Sequence, residues 1–330
     1  MTLLITGSYP PDVCGVGDYT SCLMNSTNAK DWKLFYKKDW NIKNYKKYKK
    51  EIDELNPDKI IIQYPTLGYK WSFIPFLLLA HYSRKLGKKC VMVYHEFSNK
   101  KLKARIVQDL ALFFAKKLVV TNEYEKEAVR KHHKKLDISI IKIFSNISAV
   151  DNVKAFSERK YDFINFGQIC PGKGIEEYID LISSIKGKNN ALIGRIPSGL
   201  EDYGREIIQK AKENNINVFL DLNNEDTSAI LNNSKCAILP FPDGISERRG
   251  SFLASAVNGC LIVSTKGKYT TEGLRNILFE ELPASSENIL NKITNVNDDY
   301  WKSYYDKVLK YLNTEMPKSW DEIVEKYNEI

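Results

Sequence analysis

Short apolar runs that do not alternate with polar residues recur along the whole chain. Each ends in a glycine, proline or polar loop, and stretches of helical periodicity lie between them. Such runs are too short for helices and suit strands buried on both faces, the environment of a parallel sheet covered by helices. In the first half they fall at residues 3–7, 59–65, 90–96 and 117–122, with helical stretches at 73–86 and 103–116. In the second half they fall at 162–167, 190–194, 216–221, 235–241 and 259–265, separated by helices at about 174–186, 202–214, 225–233 and 249–258. Strand–helix alternation repeated in both halves predicts an α/β chain with two doubly wound, Rossmann-like domains. A chain of 330 residues also exceeds one typical core. The polar stretch 146–160 marks the boundary, giving domains at 1–150 and 151–315. Residues 316–330 form a terminal amphipathic helix, capped by Ser319 and carrying Trp320, Ile323, Val324 and Tyr327 on one face.

Composition narrows the class. Hydrophobic residues make up 43% and charged residues 27%, an ordinary composition for a folded soluble protein. No apolar run approaches the roughly 20 residues of a membrane span. The longest, 71–80, is broken by Ser72 and Pro75 and reads as a core helix. Leu3 to Ile5 reads as the first strand and not as a signal peptide, so a cytoplasmic protein is expected. The six cysteines are scattered through apolar stretches without a paired spacing, which predicts buried reduced thiols and neither zinc nor disulfides. With only four histidines, no metal site is expected.

The net charge of +8 is concentrated in one segment. Lys30, Lys33, Lys37, Lys38, Lys43, Lys46, Lys47, Lys49 and Lys50 face only Asp31 and Asp39, with Trp32, Phe35, Tyr36, Trp40, Tyr45 and Tyr48 interleaved. One reading is a solvated basic face. The other is a surface for anionic lipid headgroups at the inner membrane face, with the rings at the interface. No nucleic-acid-binding motif accompanies the patch, and no nucleic-acid partner is expected.

Open parallel sheets bind ligands beyond the carboxyl ends of their strands, and five places there carry candidate chemistry. After the first strand, Gly15, Val16 and Gly17 lead into a helix, so free N–H groups could face a phosphate; Thr20 replaces the third glycine of a dinucleotide fingerprint. Gly167–Gly174 is a glycine-rich loop with Lys173 at the mouth of the next helix, without the spacing of a nucleotide-hydrolysing loop. In the segment 241–259, Arg248 and Arg249 precede a helix opened by Gly250 and Ser251, making an anion clamp. Glu247 would hydrogen-bond sugar hydroxyls or pair with an arginine. His95 and Glu96 end the third strand of the first half, and Gln63 and Tyr64 end another.

The order and spacing of PPDVCGVGDYT, the His95–Glu96 pair, FGQICPGKG and PFPDGISERRGSFLASAVNGCLIVST resemble family 4 retaining glycosyltransferases of GT-B fold, and SERRGS resembles a bacterial surface-polysaccharide branch. The resemblance covers essentially the whole chain. It implies two domains facing a central cleft, an acceptor-binding first domain, a nucleotide-sugar-binding second one, and a terminal helix crossing back to the first. It assigns Lys173 to the donor diphosphate, His95 to the donor sugar, and Gly15 to Gly17 to the diphosphate and acceptor. Two departures stand out: Gln168 occupies the place of an arginine, and the family's two glutamates fall on Ser246 and Ala254. Arg248 and Arg249 are expected to replace the missing arginine, with Glu247 reaching the sugar and Asp18 a candidate base. Gln63, Tyr64, Glu96, Gln168 and Ser246 remain sugar or acceptor contacts. The expected activity is metal-independent transfer of a sugar from a nucleotide diphosphate sugar to an acceptor hydroxyl, such as a lipid-linked glycan, with retention and without a cofactor. A non-catalytic nucleotide-sugar-binding subunit, a nucleotide-sugar epimerase and a nicotinamide enzyme are the alternatives. The sugar, base, acceptor and linkage are not legible.

Overall fold

The structure is a computed structural model that describes residues 1–98, 108–109 and 111–330. The helix expected at 103–116 lies mainly outside the described residues. The chain divides into two compact units, Met1–Ile143 with Pro317–Ile330, and Phe144–Met316.

The first unit contains β1 (Thr2–Thr6), β2 (Trp32–Tyr36), β3 (Lys59–Tyr64), β4 (Cys90–Tyr94), β5 (Lys117–Val120) and β6 (Asp137–Ile140). All pair in parallel in the order β2-β1-β3-β4-β5-β6. The central strands carry apolar side chains on both faces, as in Ile5 opposite Ile62 and Ile61 opposite Val91. Its helices include α1 (Gly15–Met24), α2 (Tyr45–Leu55), α3 (Ile74–Leu86) and α4 (Glu123–Arg130). The second unit repeats the plan with β7 (Tyr161–Gln168), β8 (Asn190–Arg195), β9 (Ile216–Leu220), β10 (Ser234–Leu239), β11 (Leu261–Thr265) and β12 (Glu280–Leu282). These run in parallel in the order β12-β11-β10-β7-β8-β9. Its helices are α5 (Ile175–Ser183), α6 (Glu201–Glu213), α7 (Asn224–Asn232), α8 (Gly250–Val257), α9 (Glu272–Asn276), α10 (Ser286–Thr294) and α11 (Asp298–Glu315).

The final helix, α12 (Trp320–Glu329), belongs to the first unit. The Ser319 hydroxyl accepts from the Glu322 N–H, capping its start. Ile323, Val324 and Tyr327 are buried, and the Tyr327 and Tyr19 hydroxyls lie 3.0 Å apart. At the other end, Lys59 Nζ donates to the Tyr327 and Asn328 carbonyls at 2.8 and 2.9 Å. A cation there satisfies acceptors that a helix end otherwise leaves open.

Three strands escape the periodicity argument: β2, β6 and β12. Each lies at a sheet edge, where one side stays wet and the apolar run shortens. One further expectation needs correction. The segment 71–80 is not simply a core helix: α3 starts at Ile74, and Trp71, Phe73 and Leu77 point to solvent. In the lysine-rich segment, four of the six rings face inward. Trp32, Phe35, Trp40 and Tyr48 are buried, with Trp40 edge-on to Tyr48 at 5.4 Å and to Tyr69 at 4.7 Å. The thiols of Cys90 and Cys260 are buried, and burial pushes both up to about 12.

Candidate active site

In the second unit, the loops that follow β7, β10 and β11 pack backbone against backbone. Gly174 has φ of +79°, and a Cβ there would stand 2.0 Å from the Pro240 carbonyl oxygen. Gly244 has φ of +89°, and its added Cβ would meet the Gly267 nitrogen at 2.2 Å. Both positions combine a left-handed backbone with close approach, which only glycine satisfies. The Ile245 N–H donates to the Thr265 carbonyl at 2.8 Å, and the Thr270 hydroxyl to the Ile245 carbonyl at 2.8 Å. The Lys173 loop is thereby fixed against the segment that carries the two arginines.

Both guanidiniums are held in place. Arg248 Nη2 lies 3.5 Å from Asp243 Oδ2, and Arg249 Nη2 donates to Asp243 Oδ1. The Arg248 guanidinium also lies 4.2 Å from the Tyr269 ring centre, and that of Arg249 4.7 Å from the Phe241 ring centre. Planar cations stacked on rings and tied to one carboxylate are preorganised, at the cost of an internal anion. The partly exposed Lys173 is a third cation among these loops.

The two helix starts differ. The first turn of α5 carries Glu176 and Glu177, which oppose an anion there. The start of α8 has no acid in its first turn and no side-chain cap, so the Gly250 and Ser251 end is the better anion seat. Glu247 is buried and pairs with hydroxyls instead of an arginine: its Oε1 accepts from Thr271 and from Tyr311, each at 3.1 Å. Burial, then the Glu247 charge, hold the Tyr311 phenol above its ordinary range. The buried Ser246 hydroxyl has no hydrogen-bond partner among the described residues. Ala254, where the resemblance would put a glutamate, is fully buried in α8.

Two cationic candidates were not legible. Arg195 ends β8 directly opposite Gln168, which ends β7, so an arginine stands beside the position where one is missing. Lys268 lies with its ammonium 4.8 Å from the ring of Tyr269, the ring that also carries Arg248. The GR pair at residues 194–195, closing an apolar run, was the available signal for Arg195. Lys268 had none.

In the first unit, the loops after β1 and β3 also meet closely. A Cβ on Gly68 would stand 1.6 Å from the Gly7 carbonyl oxygen, and the Gly68 N–H donates to Ser8 Oγ at 2.8 Å. Gly17 approaches the Ser8 backbone, whereas Gly15 opens onto free space. Val16 is half-buried and its carbonyl accepts from the Thr20 hydroxyl at 2.7 Å, so Thr20 acts as a local tie. His95 Nε2 lies 2.7 Å from Gln63 Oε1, a side-chain contact that joins the ends of β3 and β4. Tyr19 stands edge-on to the His95 ring at 5.0 Å and to Trp320 at 5.2 Å. Gln63 is fully buried, and its Nε2 has no hydrogen-bond partner among the described residues. Tyr64 packs into the rings of Tyr69, Phe76 and Tyr94, which makes it a core residue as well as a strand end. Glu96 is half-buried beyond β4, and Asp18 lies in the first turn of α1 near Cys22.

No family model matches the sequence, and no curated protein matches it. Solved structures do. A glycosyltransferase from Rickettsia africae has 13% identity and a TM-score of 0.66, with 99% of this chain and 97% of that chain covered. A sucrose-phosphate synthase from Thermosynechococcus elongatus has 14% identity and a TM-score of 0.73, at 99% and 97% coverage. An Anabaena protein in complex with UDP and glucose has 13% identity and a TM-score of 0.69, at 99% and 98% coverage. The chain has the GT-B fold. At such identities the likeness carries fold alone, so the chemistry has to come from the side chains of the two units.

Proposed function

We propose that the chain transfers a glycosyl group from a nucleotide diphosphate sugar to an acceptor hydroxyl, with retention at the anomeric carbon and without a metal. One observation carries the reading. In the second unit of this GT-B chain, the Lys173 loop, the Arg248–Arg249 pair and the uncapped start of α8 gather at the carboxyl edge of one parallel sheet. Breaking the bond between the anomeric carbon and the diphosphate oxygen sends an electron pair, and so a negative charge, onto the diphosphate. Fixed cations and N–H dipoles stabilise that charge without reorganising, and removing one such donor typically costs about 10²–10³ in rate. The acceptor oxygen bonds to the same face of the carbon, and its proton passes to the departing phosphate oxygen. Asp18 is the alternative base, and His95 and Glu247 are assigned to the transferred sugar. Lys173 supplies a point charge, while the guanidiniums exchange part of their contact with Asp243 for phosphate oxygens.

The first unit is assigned to the acceptor, a glycan or lipid-linked glycan on the cytoplasmic side of a membrane. Its solvent-facing lysines at 30–50 supply attraction for anionic groups, while four of the six rings of that segment serve the core. A panel of nucleotide diphosphate sugars, assayed for release of nucleoside diphosphate with and without glycan acceptor, tests the reaction, and chelators should leave its rate unchanged. Lys173→Ala and Arg249→Ala are each expected to lower kcat/KM about tenfold or more without lowering Tm. Near-normal turnover in both variants overturns the clamp. Ser246 and Ala254, standing where acids are expected, favour one second reading, a non-catalytic nucleotide-sugar-binding subunit. It would bind donor yet show neither release nor transfer.

A further inference from the structure

The first unit also displays exposed apolar side chains at sequence positions outside the lysine-rich segment. Leu67, Trp71, Phe73 and Leu77 protrude within eleven residues, Trp71 with 89% and Phe73 with 54% of its surface exposed. Single exposed apolar residues are ordinary, but a cluster built around a bare tryptophan marks an interaction surface. From Phe73 the stripe runs along one face of α3 through Leu77 and His81 to Arg84, at helical spacing. The Arg84 guanidinium lies 5.5 Å from the ring centre of the exposed Phe114.

The chain segment that carries this stripe is basic. Residues 68–89 contain Lys70, Arg84, Lys85, Lys88 and Lys89 and no aspartate or glutamate. The helix α2 lies alongside, since the Tyr82 hydroxyl of α3 donates to Asp53 Oδ1 at 3.0 Å and to the Lys49 carbonyl at 3.2 Å. The exposed positions of α2 include Lys46, Lys47 and Lys50. An apolar edge and a lysine-rich helix are thus neighbours on one unit.

We propose that this face seats on the surface of an anionic phospholipid bilayer, with Trp71, Phe73 and Leu77 entering the headgroup region and the lysines and arginines meeting lipid phosphates. Charge complementarity selects the occupant: Asp53 and Asp137 pair with Lys85 and Lys88, yet residues 45–55 and 68–89 together carry nine lysines and arginines against three acids, and a cationic surplus beside exposed rings is what an anionic interface attracts. The inference is independent of the proposed transfer reaction, because its test contains no sugar. The protein is mixed at low salt with vesicles of phosphatidylcholine, alone or with phosphatidylglycerol, and sedimented. Retention on the phosphatidylglycerol vesicles is expected, with a blue shift of tryptophan emission that Trp71→Phe abolishes. The double variant Trp71→Ser/Phe73→Ser should keep its Tm and lose about tenfold or more in partitioning. Lys46→Glu/Lys47→Glu should weaken binding with the rings intact. Failure of the wild type to bind anionic vesicles overturns the proposal, as does unchanged binding by the double serine variant. A solution dimer that the double serine variant splits also overturns it, making the face an interface between copies.

Discussion

Arg248 and Arg249 are tethered as well as charged. Each stacks on a ring, and both share Asp243. That arrangement fixes their planes before a ligand arrives, which is the condition under which an electrostatic site lowers a barrier instead of merely binding. Glu247 presents the opposite case, a buried carboxylate held by two neutral hydroxyls, one of them from Tyr311 on a distant helix. Glu247→Gln keeps an oxygen that can accept both bonds and removes only the charge. It is expected to leave Tm within a few degrees and to lower kcat about tenfold or more in the donor-release assay; full activity would reduce Glu247 to a packing role. Lys173, Arg248 and Arg249 were legible because a basic residue at a strand-end glycine loop is a local pattern. Asp243, Tyr311, Arg195 and Lys268 entered only with the fold, since their meaning comes from partners across loops and ladders.

Loops and helices carry the next set of consequences. Gly174 joins the Lys173 loop to Pro240, and Gly174→Ala would combine an unfavourable φ with a Cβ 2.0 Å from a backbone oxygen. Donor affinity should therefore fall in Gly174→Ala at least as far as in Lys173→Ala, although no cation is removed; wild-type affinity in a calorimetric titration would contradict the coupling. The helix α12 is seated by Ile323, Val324 and Tyr327 and by the Lys59 contact at its end. Truncating a fully buried isoleucine costs about 2–5 kcal/mol. In a unit of this size Ile323→Ala should lower Tm by about 5–15 °C in a thermal melt, and an unchanged melt would mean that the helix is not docked. The amphipathic period of α12 was readable because its apolar face is regular and capped. The edge strands β2, β6 and β12 were not, because one wet side erases the continuous apolar run that marks a central strand.

Both units bury tyrosines in their cores, and this sets an alkaline limit for the whole molecule. Burial holds the phenols of Tyr19, Tyr69, Tyr94 and Tyr178 well above their ordinary value of 10.0. In the unfolded chain the same phenols release protons near pH 10, so above that pH the folded state binds more protons than the unfolded state. Stability is then fully present below pH 10 and declines as pH rises past it, by up to about 1.4 kcal/mol per buried phenol per pH unit. Melting curves between pH 8 and 11.5 should show a flat region followed by a fall; a flat profile throughout would contradict the burial. At this scale the α/β plan was legible from alternating strand and helix signals alone. The aromatic content of residues 30–50 misled, because composition counts rings without saying which way they face, and four of them complete the core.

What most needs measuring is whether a pyrophosphate sits on the cations of the second unit. Calorimetric titration of UDP, ADP and GDP into the wild type, Lys173→Ala and Arg249→Ala addresses this without any acceptor. At least one nucleoside diphosphate is expected to bind the wild type, with Kd raised about tenfold or more in each variant. Equal affinity in all three proteins, or no binding of any of the three nucleotides to the wild type, would contradict it.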